Sequence, residues 1–162
     1  MPLTLTTLLL ALAAQTTPTK LPPANPLPPP GAEEAAVLAP IDRMFAALTA
    51  RDTAAILAET RPDGFATAVV ERADGTRALR RTAWADFVKP LTGGKERLVE
   101  RLLTPAIEID GDIAMVWAPY TFTVDGKLSH CGVDHFDLIR DEGRWRILSI
   151  TWTQRTTDCP AA

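Results

Sequence analysis

The chain has 162 residues, enough for one domain with a sizeable core and a tail. Hydrophobic residues make up 46% and charged residues 23%, the balance of an ordinary soluble globular protein. The net charge is −3 and the longest basic run is Arg80-Arg81, which argues against a nucleic-acid partner, since that needs a concentrated positive stripe.

Residues 3–14, LTLTTLLLALAA, form an apolar run too short to cross a bilayer, which takes about 20 residues. Ala11-Leu12-Ala13 fits a small-residue cleavage pattern, so residues 1–14 read as a secretory signal peptide cut after Ala13 or Ala14. No Lys or Arg precedes the run, which leaves a disordered start as the other reading. No cysteine follows it, which argues against a lipid anchor. The expected location is periplasmic or secreted, with no membrane partner once the signal is removed. Residues 15–31 read as a linker, because 18–30, PTKLPPANPLPPP, hold seven prolines and cannot join a helix or sheet. The folded domain is 32–162.

Val37, Ile41, Met44, Phe45 and Leu48 recur at helical spacing, with a kink or restart expected at Pro40. Asp52 or Thr53 caps a short second helix, AAILAE. FATAVVERA and TRALRR alternate on either side of Asp74-Gly75, a hairpin signal. Thr82 is the expected cap of a third helix carrying Trp84, Phe87, Val88 and Leu91 on one face. Four strands then follow near 96–109, 112–124, 127–140 and 144–155, separated by Asp-Gly and Asp-Glu-Gly turns. The fold class is α+β, a curved antiparallel sheet wrapped over N-terminal helices.

This order of elements, and the ending GRWRILSITW after HFDLIR, resemble the nuclear transport factor 2-like superfamily, whose members include ketosteroid isomerase and the polyketide cyclases. The run from Val116 to Cys159 is similar to a secreted bacterial branch labelled lumazine-binding, although no residue set in it would select a pteridine. The resemblance spans about 33–159 and implies a cystatin-like, cone-shaped cavity. Many unrelated activities share that fold, so the resemblance is weak for function.

The stretch DGKLSHCGVDHF, 125–136, holds both histidines and Cys131. With two-residue turns at 125–126 and 142–143, strict alternation puts Val116, Ala118, Tyr120, Cys131, Val133, His135, Asp137, Ile150 and Trp152 on one face. The other face takes Met115, Trp117, His130, Asp134, Phe136, Trp145, Ile147 and Thr151. A bulge would exchange members between them. Both faces are largely apolar, so one covers the helices and the other is expected to pair with a second copy of the chain through Phe136, Trp145 and Ile147.

Setting the last hairpin against ketosteroid isomerase makes the His135 face the cavity. The resemblance thus implies a ligand site of Tyr120, His135, Trp152, Val133 and Asp137. His135 is the candidate catalytic residue, since an imidazole can shuttle protons near neutral pH. The alternative is a buried structural histidine bonded to backbone or Tyr120. His130 and Asp134 fall on the presumed dimer rim. The two histidines, five apart on a strand, face opposite ways, so no metal site is expected, and no cofactor. Cys131 and Cys159 are the only cysteines of a chain read as exported, which favours a disulfide; two buried free thiols are the alternative. Three functions fit these residues: a domain holding a mostly apolar small molecule, an isomerase, dehydratase or cyclase with His135 as shuttle, and a protein-interaction module recruited through the proline-rich arm.

Overall fold

The computed structural model describes residues 31–72 and 74–160. The signal peptide and residues 15–30 of the linker lie outside them. The chain begins with α1 (Ala32–Ala50), whose inner face buries Val37, Ile41, Met44, Phe45 and Leu48. The helix runs through Pro40 without restarting. Proline cannot donate to the carbonyl four residues back, and Ala36 is exposed, so water can take that group. Arg51 ends α1 in the left-handed region at φ 55°. The Asp52 carboxylate then accepts from Ala55 N–H at 2.9 Å, starting α2 (Thr53–Glu59). A bidentate pair from Arg43 to Glu59, both bonds 2.8 Å, ties the two helices together.

Seven strands make one sheet: β1 (Thr60–Glu71), β2 (Arg77–Ala83), β3 (Leu98–Leu102), β4 (Ala106–Asp110), β5 (Ile113–Val124), β6 (Lys127–Asp141) and β7 (Arg144–Gln154). Their order is β2-β1-β7-β6-β5-β3, with β4 also on β5. All neighbours are antiparallel except β1 and β7, which run parallel and are joined by a long connection through β2, a short helical segment and β3–β6. The strand expected at 96–109 is two strands, broken before Pro105. The third helix is a single turn, α3 (Trp84–Phe87), capped at Ala83 instead of Thr82, and a 3₁₀ turn at Lys89–Leu91 follows.

Two bulges decide the faces. In β6, Phe122 pairs with His130 but Thr123 pairs with Leu128, so Ser129 is an extra residue. In β7, Asp137 pairs with Ser149 but Leu138 pairs with Ile147, so Leu148 is extra. Each shifts everything beyond it by one place, which in a strand means the opposite face. The helix-covered face therefore carries Val116, Ala118 and Tyr120 of β5 with Gly132, Asp134, Phe136 and Leu138 of β6, and Trp145, Ile147, Ile150 and Trp152 of β7. The second bulge is held from inside: its Leu148 carbonyl accepts the Trp84 indole N–H at 3.1 Å. Gly64 lies so close that a Cβ there would sit 1.7 Å from the same oxygen.

The expected dimer face is corrected accordingly. Phe136 and Ile147 are 0% exposed and Trp145 is 7% exposed, all packed in the core beneath the helices. They are not available to a second copy of the chain.

Cys131 and Cys159 form a disulfide, with Cα atoms 5.6 Å apart. The C-terminal tail folds back through a bridge in which Cys131 and Arg155 exchange backbone bonds of 3.0 and 2.9 Å.

Candidate functional site

A cavity of about 350 Å³ opens between the sheet and α3. Met44, Leu48, Ile56, Ala68 and Ile150 make its apolar floor, and Phe87, Leu91, Leu98, Phe122 and Trp152 its walls. Arg51 braces one wall, donating to Leu91 O at 3.1 Å and to Glu96 O at 3.0 Å. Exposed Arg80 and Asp86 stand at the rim.

Glu100, Tyr120 and His130 bring polar groups together at one end of the interior, and the neutral Thr82 and Gln154 side chains also line it. Tyr120 is buried and opposite Gly132, where a Cβ would come within 2.9 Å of its ring. The missing side chain lets the ring lie flat, and its hydroxyl donates to Thr153 O at 3.0 Å. Burial, with the Glu100 and Asp134 carboxyls nearby, pushes the Tyr120 phenol well above its ordinary value. His130 stacks on Phe122, centroids 4.5 Å apart, and its Nδ1 meets Ser129 Oγ at 3.1 Å. Burial lowers its affinity for a proton, so the ring is neutral at pH 7.

Asp134 lies beside this group, fully buried, and neither carboxylate oxygen has a hydrogen-bond partner among the described residues. Glu100 is its neighbour. Two carboxylates can bond each other only if one retains its proton, and both groups are shifted in that direction. Burial raises Asp134 well above the carboxylate range, with the Glu100 charge adding to it. Glu100 keeps some surface toward the cavity, yet the protein crowded around it pushes it to about 7.

A pH dependence follows. The folded state holds a proton on Glu100 that the unfolded chain gives up near 4.5, so this stability is fully present below that pH and is lost as pH rises through about 7. His130 acts oppositely: its contribution is present above about 6.5 and lost as pH falls. Glu100→Gln should therefore melt higher than wild type at pH 8, by about 2–4 °C per kcal/mol recovered, with the gain gone at pH 4. Thermal melts by circular dichroism at both pH values check this. An equal shift at both would show that ionisation of Glu100 carries no cost.

The structure brings together only part of the site expected from sequence. Tyr120 and Trp152 line the cavity. His135, Val133 and Asp137 do not: they lie on the outer face, a correction that follows from the Ser129 bulge. There His135 packs near Trp117, centroids 5.9 Å apart, and its Nε2 is 3.6 Å from Asp137 Oδ1. Asp137 also accepts from Ser149 Oγ at 2.7 Å. His130 and Asp134, assigned to a dimer rim, face inward instead. Among the described residues, no cluster of three or more His, Cys, Asp or Glu side chains gathers to hold a metal ion.

No family model matches the sequence, and no curated protein sequence does. Solved structures do match. An NTF2-like protein from Cytophaga hutchinsonii superposes with a TM-score of 0.63 at 12% identity, covering 77% of this chain and 100% of that one. A protein with a cystatin-like fold from Nostoc punctiforme gives 0.61 at 11% identity, covering 76% and 92%. A Novosphingobium aromaticivorans protein, described as the beta subunit of a putative aromatic-ring-hydroxylating dioxygenase, gives 0.64 at 16% identity, covering 79% and 92%. The chain has the nuclear transport factor 2-like fold. At these identities the likeness establishes the fold alone, and none of the three descriptions mentions lumazine.

Within that nuclear transport factor 2-like frame, Glu100 is the residue that sequence reasoning missed. A signal existed. Leu98, Glu100 and Leu102 alternate with Val99 and Arg101, so an acid stands in an otherwise apolar row. A second was Gly132, since an isolated glycine inside a strand marks a bulge or a close approach.

Proposed function

We propose that this protein is an exported small-molecule-binding domain whose cavity holds a mostly apolar ligand with a polar group at the Glu100–Tyr120–His130 end. The observation that carries this reading is the cavity itself, about 350 Å³ with apolar floor and walls and a few convergent polar groups. Export is supported by the Cys131–Cys159 disulfide, a bond that persists in oxidising compartments.

The isomerase reading loses its proposed machinery. His135 is outside the cavity, and the Tyr120 hydroxyl is spent on Thr153 O. Any proton-transfer reading passes to Glu100, whose position near neutrality suits a general base. The interaction-module reading rests on residues 18–30, outside the described residues.

Mass spectrometry of small molecules released from gently purified protein tests the binding reading. Wild type should release an apolar compound, and Leu91→Trp, which adds bulk to a cavity wall, should release at least tenfold less at unchanged yield. Equal release from both would place the compound elsewhere and defeat the reading.

A further inference from the structure

We propose that the cavity takes an organic cation, an apolar body bearing a primary or secondary amine, whose ammonium group is held by Glu100, with Asp134 buried behind it. This rests on the cavity reading above and names the chemical class of its ligand.

The warrant is an unanswered charge. Asp134 is 0% exposed, and beyond the proton shared with Glu100 its oxygens meet no donor among the described residues. Two carboxyls sharing one proton still carry about one negative charge in an apolar surround, which is costly without a counter-charge. The groups facing the pair from each packed element do not supply it. The helical floor offers only Met44, Leu48 and Ile56. His130 of β6 is neutral, and Tyr120 of β5 donates to Thr153 O. Arg80 of β2 is exposed at the rim, opposite Asp86 of α3. Arg155, beyond β7, turns to the tail, its Nη2 reaching Asp158 O at 3.5 Å.

An ammonium group fits what is left. It is donor-only, with two or three N–H groups against the Glu100 carboxylate, the member of the pair that lines the cavity and has acceptor sites to spare. Aromatic rings enclose the same space (Phe87, Tyr120, Phe122 and Trp152), and ring faces attract cations more than neutral groups. A neutral hydrogen-bond acceptor would use only the shared proton and leave the net charge unanswered. When the ammonium enters, it pairs with the ionised Glu100 while Asp134 keeps its proton, so the site goes from one negative charge to neutral. Below pH 7, where Glu100 is itself protonated, binding sends that proton to bulk water and the ligand keeps its own.

The test uses matched probes on purified protein: cyclohexylmethylamine and adamantylmethylamine against cyclohexylmethanol and adamantylmethanol, by titration calorimetry in two buffers of different ionisation enthalpy. At pH 7.5 the better amine should bind at least tenfold tighter than its alcohol. Its affinity should fall by up to about tenfold per pH unit below 7, with proton release visible as a buffer-dependent enthalpy. Glu100→Gln should erase the amine preference, bringing the amine and its alcohol within about twofold of each other. Alcohols binding as tightly as amines, or a preference that survives Glu100→Gln, would overturn the cation assignment while the cavity reading stands. Binding of neither class would defeat both.

Discussion

Replacing Ile147 with Asp should abolish the folded state, whereas replacing Trp117 with Asp should leave it intact. Strict alternation puts both residues on one face; the Leu148 bulge puts them on opposite faces. Ile147 is 0% exposed beneath α1, so the change removes a full aliphatic side chain and buries an unpaired carboxylate. The expected cost is above about 4 kcal/mol, against a total stability of about 5–15 kcal/mol for a domain of this kind. Trp117 is 50% exposed and Ile113 60% exposed, both pointing away from the helices. We therefore propose this outer face, with Trp117 at its centre, for dimerisation. Trp117→Asp should cost about 1 kcal/mol or less and convert dimers to monomers in analytical ultracentrifugation. Circular dichroism melts separate the two variants. A folded Ile147→Asp would overturn the bulged register of β7, and a monomeric wild type would remove the dimer proposal.

Loss of the Cys131–Cys159 bond should be the other large effect. It joins residues 28 apart in the chain. Closing a loop of that length restricts the unfolded chain by about 3–4 kcal/mol. Cys131 is 0% exposed, so replacing both cysteines with Ala should show most of that loss in a denaturant titration. The local effect should be as informative as the global one. The tail carries Arg155, which holds the edge of β6, and follows directly on the end of β7, where Thr153 accepts from the Tyr120 hydroxyl. Faster hydrogen exchange at the amides of residues 131 and 155 is expected in the double variant. Exchange unchanged there, with stability within about 1 kcal/mol of wild type, would show that the backbone bridge holds the tail without the sulfurs.

The elements were legible because their signals are local. The α1 stripe, the Asp52 cap and the left-handed residues at Asp125-Gly126 and Glu142-Gly143 each state their structure within a few positions. The pairing of the cysteines was legible too, since it needed only the compartment and a tail long enough to return. The inner row of β6 was not legible. Alternation is reliable only between bulges, and neither Ser129 nor Leu148 differs in type from an ordinary strand residue. The bulge at Leu148 depends on Trp84 and Gly64, far away in sequence, to satisfy and accommodate its carbonyl. Nothing near 148 announces it. The candidate site inherited that error, exchanging His135 for Asp134 and His130.

The extra residue at Ser129 also bears on how this site can change over generations. Deleting Ser129 itself would only remove the bulge, leaving every pairing beyond it as it is, whereas deleting one codon between 130 and 134 would turn the rest of β6 over and present the His135 imidazole where Asp134 now stands. The same event would expel Phe136 and Leu138 from the core, so selection against unfolding would remove it before any new ligand could be tried. Changes of residue type at 100, 130 and 134 carry no such linkage. Lineages descended from this chain should therefore vary in the chemistry of those positions while keeping the length of β6 beyond Ser129 fixed.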